Sequence, residues 1–314
     1  MKTSTFWVVV CAIFIGGLVL TELVSNEYYF TALYVILQAT IMAIAWNILG
    51  GFTGYVNFGS AAFFAVGAYT SIALSKSLGL PLPVLIAAAA VICGLIGLGV
   101  GYLTLRLKGV YFAIATLAMA IVLETLVNNW AYAGGARGAY ILTPENHLWF
   151  KSYIQMIFMV MLLLTLVAVA ISRKLNSSRL GRGLAAIRDD EVAAECAGVP
   201  TLRLKLISTT LMGALMGVAG APYPFFVTFV DPASAFNLFI AVNAIAMPMI
   251  GGTAHWIGPV IGALLVGSMQ EIITVNVSSE LNILFVGIML VLFITLAPQG
   301  IVGLWQKYRR RSAS

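Results

Sequence analysis

The residues best suited to do chemistry lie in one polar stretch, Arg179-Leu-Gly-Arg-Gly-Leu-Ala-Ala-Ile-Arg-Asp-Asp-Glu-Val-Ala-Ala-Glu-Cys-Ala-Gly-Val-Pro200. Residues 182–197 hold no proline and a single glycine, so the stretch predicts one helix, with Gly198 as its stop and Pro200 just beyond. On that helix Leu184, Ile187 and Glu191 share a face, and Arg188, Glu191 and Glu195 are neighbours three and four residues apart. A short helix mixing small apolar and charged positions suits docking in the groove of a soluble partner. A solvated basic loop beside a membrane has the same composition, and the residue types alone leave both readings open.

Other chemistry is thin. No Gly-Lys dipeptide occurs, so the chain lacks the usual loop for holding nucleotide phosphates, and neither a His-Glu-x-x-His helix nor a Gly-x-Ser-x-Gly elbow is present. The two histidines, His147 and His255, are far apart, and Cys11, Cys93 and Cys196 lack metal-ligand spacing. No metal site is expected, and the cysteines read as small buried residues. Carboxylates within apolar stretches are few. Glu124 and Glu271 lie about 7–9 Å past the midpoints of theirs at 1.5 Å per residue, and Glu22 sits at an end. No acid falls near a midpoint, which argues against a proton or sodium relay.

The elements that must position these groups follow from solvent. Hydrophobic residues make up 61% of the 314 and charged residues 9%. So little charge cannot solubilise so much apolar surface, whereas lipid accepts it. Ten spans are expected, near 6–24, 30–49, 58–75, 82–105, 110–129, 154–171, 206–225, 236–251, 256–275 and 281–297. The first resembles a signal peptide, but no small-x-small cleavage site follows, so it is expected to remain as a span. With both termini inside, the inner face gathers fourteen of the 17 basic residues, leaving Lys76, Arg137 and Lys151 outside. That bias also explains the net charge of +6 without nucleic acid. The whole of 1–314 reads as one membrane domain, including the inner segment 173–205 and a basic inner tail at 305–314. Glycines four apart (Gly97 and Gly101, Gly213 and Gly217, Gly258 and Gly262) predict close helix contacts. Two further glycine-rich stretches, 50–54 and 251–256, read as breaks that either line a cavity or form tight turns.

Residues Gly181 to Glu195 followed by Gly198 resemble the coupling segment of permeases from branched-chain amino acid ABC importers. The likeness continues through Asn47-Ile-Leu-Gly-Gly51, Asn57 to Tyr69, Leu105 to Leu117, Asn128-Asn-Trp130, Gly251-Gly252, Gly258-Pro259 and Pro298 to Gly303. It departs at Ser60, where many relatives carry His, and at Thr253 to Ile257. Permeases for urea and short amides share the same blocks. The resemblance implies an all-α, polytopic permease of about ten transmembrane helices in a bacterial inner membrane. It implies as partners two ABC ATPase subunits, a second homologous permease and a periplasmic substrate-binding protein. It implies no cofactor on this chain and no enzymatic activity, ATP being used by the ATPases.

On this reading the ATPase-coupling residues are Gly181, Arg182, Arg188, Asp189, Asp190, Glu191, Glu195 and Gly198. A zwitterion with an apolar side chain needs weak polar groups along its way. Gln38, Asn47, Asn57, Ser60, Thr116 and Asn128 are candidates, although interhelical hydrogen bonds would use the same residues. Glu124 and Glu271 are expected to border an outer vestibule. The rivals are a urea or amide permease and a self-sufficient ion-coupled transporter.

Overall fold

The computed structural model describes residues 3–141, 150–276, 281–297 and 300–304. Expectations resting on Lys2, His147, Pro298 and the basic tail lie outside them. Ten long helices follow the apolar runs: α1 Thr3–Leu23, α2 Glu27–Thr53, α3 Ser60–Leu78, α4 Leu82–Thr104, α5 Val110–Asn128, α6 Tyr153–Ser177, α9 Thr201–Gly220, α12 Leu238–Gly251, α13 Gly258–Asn276 and α14 Leu281–Leu296. Between them lie the short helices α7 Arg179–Asp189, α8 Glu191–Cys196, α10 Tyr223–Val227 and α11 Pro232–Ala235. Among the described residues, nine segments are long and apolar enough to cross a bilayer, and α14 adds a shorter apolar stretch, Leu284–Phe293. The molecule is an all-α membrane protein, with, among the described residues, one two-stranded ribbon pairing β1 Ala139–Tyr140 to β2 Phe229–Val230.

Helices α2, α3 and α9 form the centre, where Ile41, Ile44, Ile48, Phe64 and Met216 are buried. Helices α1 and α5 stay at the periphery and turn Ile13, Ile15, Ile114 and Ile121 outward, as lipid or a partner subunit requires. The paired glycines do what their spacing predicts. A Cβ on Gly217 would stand 2.6 Å from Cys93 Sγ and 2.8 Å from Ala89 O, and one on Gly97 would stand 2.7 Å from Thr209 O. Only hydrogen lets α4 and α9 lie that close.

Three expectations are corrected, and one open alternative is resolved. Residues 182–197 do not form one helix: the chain breaks at Asp190, whose extended backbone ends α7 and begins α8. The cause is local competition, since the Asp190 carboxylate accepts the N–H groups of Val192 and Ala193 and caps a new helix. Gly50-Gly51 is no break, because α2 runs through to Thr53 and stops at Gly54, which takes a positive φ of 79°. Those glycines are needed for space, as a Cβ on Gly51 would collide with the Asn47 side chain. Glycines 251 and 252 do end a helix, in a tight turn packed on Gly258 and Gly300. Only Cys93 of the three cysteines is buried: Cys11 lies on the outward face of α1 and Cys196 on the last turn of α8.

The helices place Tyr140 and Cys196 at opposite ends of the bundle, and both are exposed. With both termini inside, a membrane-impermeant maleimide should label Tyr140→Cys in intact cells. It should reach Cys196 only after permeabilisation. Labelling of Cys196 from outside would invert the topology.

Candidate functional site

Ser178 starts α7 by accepting the Gly181 N–H, and Leu184 and Ile187 on its inner face are buried against the bundle. Gly54, which takes its positive φ here, lies against α7: a Cβ there would stand in ordinary contact with Arg188, 3.4 Å from its Cγ. Helix α8 buries Ala194 and ends at Gly198, whose φ of 81° and N–H bond to the Glu195 carbonyl close the turn as expected. Thr201 Oγ1 donates to Glu195 Oε1 at 2.5 Å and fixes the exit into α9.

The decisive contact is inward. Lys205, in the first turns of α9, is buried at 3% exposure, and its Nζ lies 2.7 Å from Glu191 Oε1. Tyr55 Oη donates to the second oxygen, Glu191 Oε2, at 2.5 Å. Lys205 Nζ also donates to Tyr55 Oη and to the Leu105 carbonyl, each at 3.2 Å, and stands 4.7 Å from the Tyr55 ring centre. Burial alone pushes the Glu191 carboxyl up, but the Lys205 ammonium and Tyr55 hydroxyl outweigh it and hold the group below the usual carboxylate value. Burial and the adjacent carboxylate push the Tyr55 phenol well above its ordinary value. At neutral pH the Glu191 carboxyl is therefore ionised and the phenol keeps its proton. Glu191 thus serves to latch α8 onto the bundle, not to pair with Arg188, which bonds the neighbouring Asp189 at 3.3 Å.

Tyr55 and Lys205 escaped sequence reading as site residues. Tyr55 carries no signal of its own, but Lys205 does. A lysine inside the start of an apolar helix calls for a carboxylate or carbonyl nearby.

From Tyr55 the latch continues into the non-helical segment 54–59, which joins α2 to α3. Trp46 Nε1 donates to the Asn57 carbonyl at 2.9 Å, Asn57 Oδ1 accepts the Gly59 N–H at 2.7 Å, and the Phe58 N–H bonds Thr116 Oγ1 at 3.2 Å. Asn57 Nδ2 reaches Met212 Sδ at 3.4 Å. Ser60, fully buried, follows at the start of α3, and its Oγ has no partner among the described residues. Asn47 spans to the opposite hairpin, donating to Thr253 O at 3.2 Å while its Oδ1 lacks a described partner. Gln38, further along α2, donates to Tyr34 Oη at 3.2 Å and to Ala219 O at 3.1 Å. Asn57, Ser60 and Thr116 therefore meet at one junction, whereas Gln38 and Asn128 sit toward the other end of the bundle.

Two grooves flank this core, and none of those six side chains lines either. One, about 760 Å³, lies among α3, α4 and α5 beside Tyr69, Asn129 and Trp130; the other, about 850 Å³, lies between α1 and α6. Glu124 on α5 and Glu271 on α13 are partly exposed and form no ion pair with a described residue.

The family model for "branched-chain amino acid transport system / permease component" matches residues 28–294, most of the chain. This chain belongs to that family. As a member it is a permease subunit of an ABC importer. The permease is 27% identical over 287 residues to the high-affinity branched-chain amino acid transport system permease protein LivM of Escherichia coli, covering 83% of this chain and 67% of that one. It is 26% identical over 276 residues to the probable branched-chain amino acid transport permease protein LivH of Methanocaldococcus jannaschii, covering 82% and 86%. A solved structure, PsaBC from Streptococcus pneumoniae in complex with Fab, aligns at a TM-score of 0.49 and 16% identity over 92% of this permease.

Proposed function

We propose that this permease translocates branched-chain amino acids inward, and that α7 and α8 receive the motion of an ATPase docked beneath them. The observation that carries this is the two-sided build of the segment. Its inner side is fixed by Leu184, Ile187, Ala194 and the Glu191–Lys205 pair, while Arg182, Arg188, Asp189, Val192 and Glu195 remain exposed. A loop needed only for connection has no reason to be so firmly anchored and yet present Val192 at 59% exposure.

On this reading the partners are two ATPases, a second permease and a periplasmic binding protein. The termini are cytoplasmic, and ATP is consumed by the partners. Force on α8 passes through Glu191 to Tyr55, and from there into the 54–59 junction with Asn57, Ser60 and Thr116. Gln38, Asn47 and Asn128 extend the route, exchanging their present hydrogen bonds for those of a passing zwitterion. Glu124 and Glu271 border its outer mouth.

The substrate is tested with labelled leucine in proteoliposomes holding the assembled importer. Excess isoleucine or valine should suppress uptake by tenfold or more, and urea or acetamide should not. Suppression by urea and not by valine would replace the amino-acid reading by an amide one.

A further inference from the structure

Between α9 and α12 the chain is irregular where a membrane helix would be continuous. Helix α9 starts beside α8 and stops at Gly220, already deep against α3: a Cβ there would strike the Phe64 carbonyl and stand 3.2 Å from the Ala68 N. Residues 221–237 then run along α3 as the five-residue α10, the two-residue β2 and the four-residue α11. Tyr69, the midpoint of α3, donates to the Val230 carbonyl at 3.4 Å. Broken backbone at such depth survives only where protein or enclosed water satisfies it, and in transporters it marks the substrate's way.

The segment is also strained. Among the described residues Thr228 is the one non-glycine at positive φ, 63° with ψ −27°. A β-branched residue is disfavoured there and persists only where its surroundings force it. They do: its N–H bonds the Pro224 carbonyl at 3.0 Å, its Oγ1 donates to Val227 O at 2.6 Å, and its carbonyl accepts the Ile141 N–H at 2.9 Å. Thr228 is exposed, so no core packing calls for a branched side chain. Just before it, Phe226 stacks on Tyr34 of α2 with ring centres 4.0 Å apart, and Tyr223 meets Phe64 edge-on at 5.1 Å. Tyr34 is fully buried, and its Oη accepts a hydrogen bond from Gln38.

We propose that residues 221–230 are the outer closure of the translocation route, with Phe226 on Tyr34 as the seal over Gln38 and Thr228 as a strained joint that readies it to open. The inference rests on the route through Gln38 proposed above. A closure needs two positions of similar free energy. A buried aromatic stack on relaxed backbone would hold the shut position too firmly, and the strain at Thr228 offsets part of that hold, to be released when the segment lifts.

Hydrogen exchange on the full-length permease, together with leucine uptake by the assembled importer, tests the closure. Thr228→Gly relaxes the joint in the shut position, so the 223–230 amides should exchange about fivefold more slowly and uptake should fall by a similar factor. Thr228→Val keeps a branched, strained residue without the hydroxyl and should exchange as the unaltered protein does. Phe226→Ala removes the seal and should speed exchange by about tenfold or more. Unchanged exchange in Thr228→Gly, or equal slowing in Thr228→Val, would overturn the strained joint. Unchanged exchange in Phe226→Ala would overturn the seal, and slower exchange with undiminished uptake in Thr228→Gly would overturn the closure. Exchange is read on the permease itself, so transport of urea in place of leucine would replace the substrate reading and leave this comparison standing.

Discussion

Replacing Glu191 by Lys should abolish uptake and release α8 from the bundle. The substitution sets a second ammonium against Lys205, which is buried and also held by Tyr55 and the Leu105 carbonyl. Breaking a buried ion pair costs about 3–5 kcal/mol because one charge is left uncompensated, and here the survivor also meets a like charge. Hydrogen exchange across 190–198 should accelerate. The exchanged pair, Glu191→Lys with Lys205→Glu, should restore part of both the protection and the uptake. Normal uptake by the Glu191→Lys single variant would show that the latch transmits nothing.

The second large effect is expected on the outward side. Val192→Asp leaves every inward contact of α8 in place, so the permease should insert and melt as before. A docking partner would then have to bury a carboxylate where it met an isopropyl group. Burying a Val side chain is worth about 1.5–3 kcal/mol, so ATPase recovered with the purified permease should fall by tenfold or more, and uptake with it. Undiminished co-purification with undiminished uptake would reduce the outward face of α7 and α8 to solvated surface.

The two variants separate because of a feature only partly legible in the sequence. The apolar runs set the helices, since few residues in them can face water, and the four-residue glycine spacing marked close helix packing, which only the fold assigns to α4 against α9. The polarity of the 179–200 stretch and its stop at Gly198 were equally readable. The bend at Asp190 was not, because Asp-Asp-Glu is compatible with a continuing helix until one carboxylate finds the N–H groups of Val192 and Ala193. Glu191 was readable as important but assigned to the wrong neighbour. Helical spacing offered Arg188, whereas the fold supplies Lys205 and a tyrosine 136 residues away. The polar residues Gln38, Asn47, Asn57 and Thr116 were recognisable as costly in an apolar setting. Their partners, mostly backbone carbonyls and N–H groups of other segments, exist only once the helices have packed.

One measurement bears on the whole account: leucine accumulation by proteoliposomes, comparing the permease alone with the complete set of permeases, ATPases and binding protein. The complete set should accumulate leucine only with ATP on the ATPase side, with or without a proton gradient. The permease alone should accumulate none under a gradient of either sign, and Glu124→Gln or Glu271→Gln in the complete set should lower the rate modestly while leaving it ATP-dependent. Proton-driven accumulation by the isolated permease, abolished by Glu124→Gln or Glu271→Gln, would contradict the account and make the chain a self-sufficient transporter.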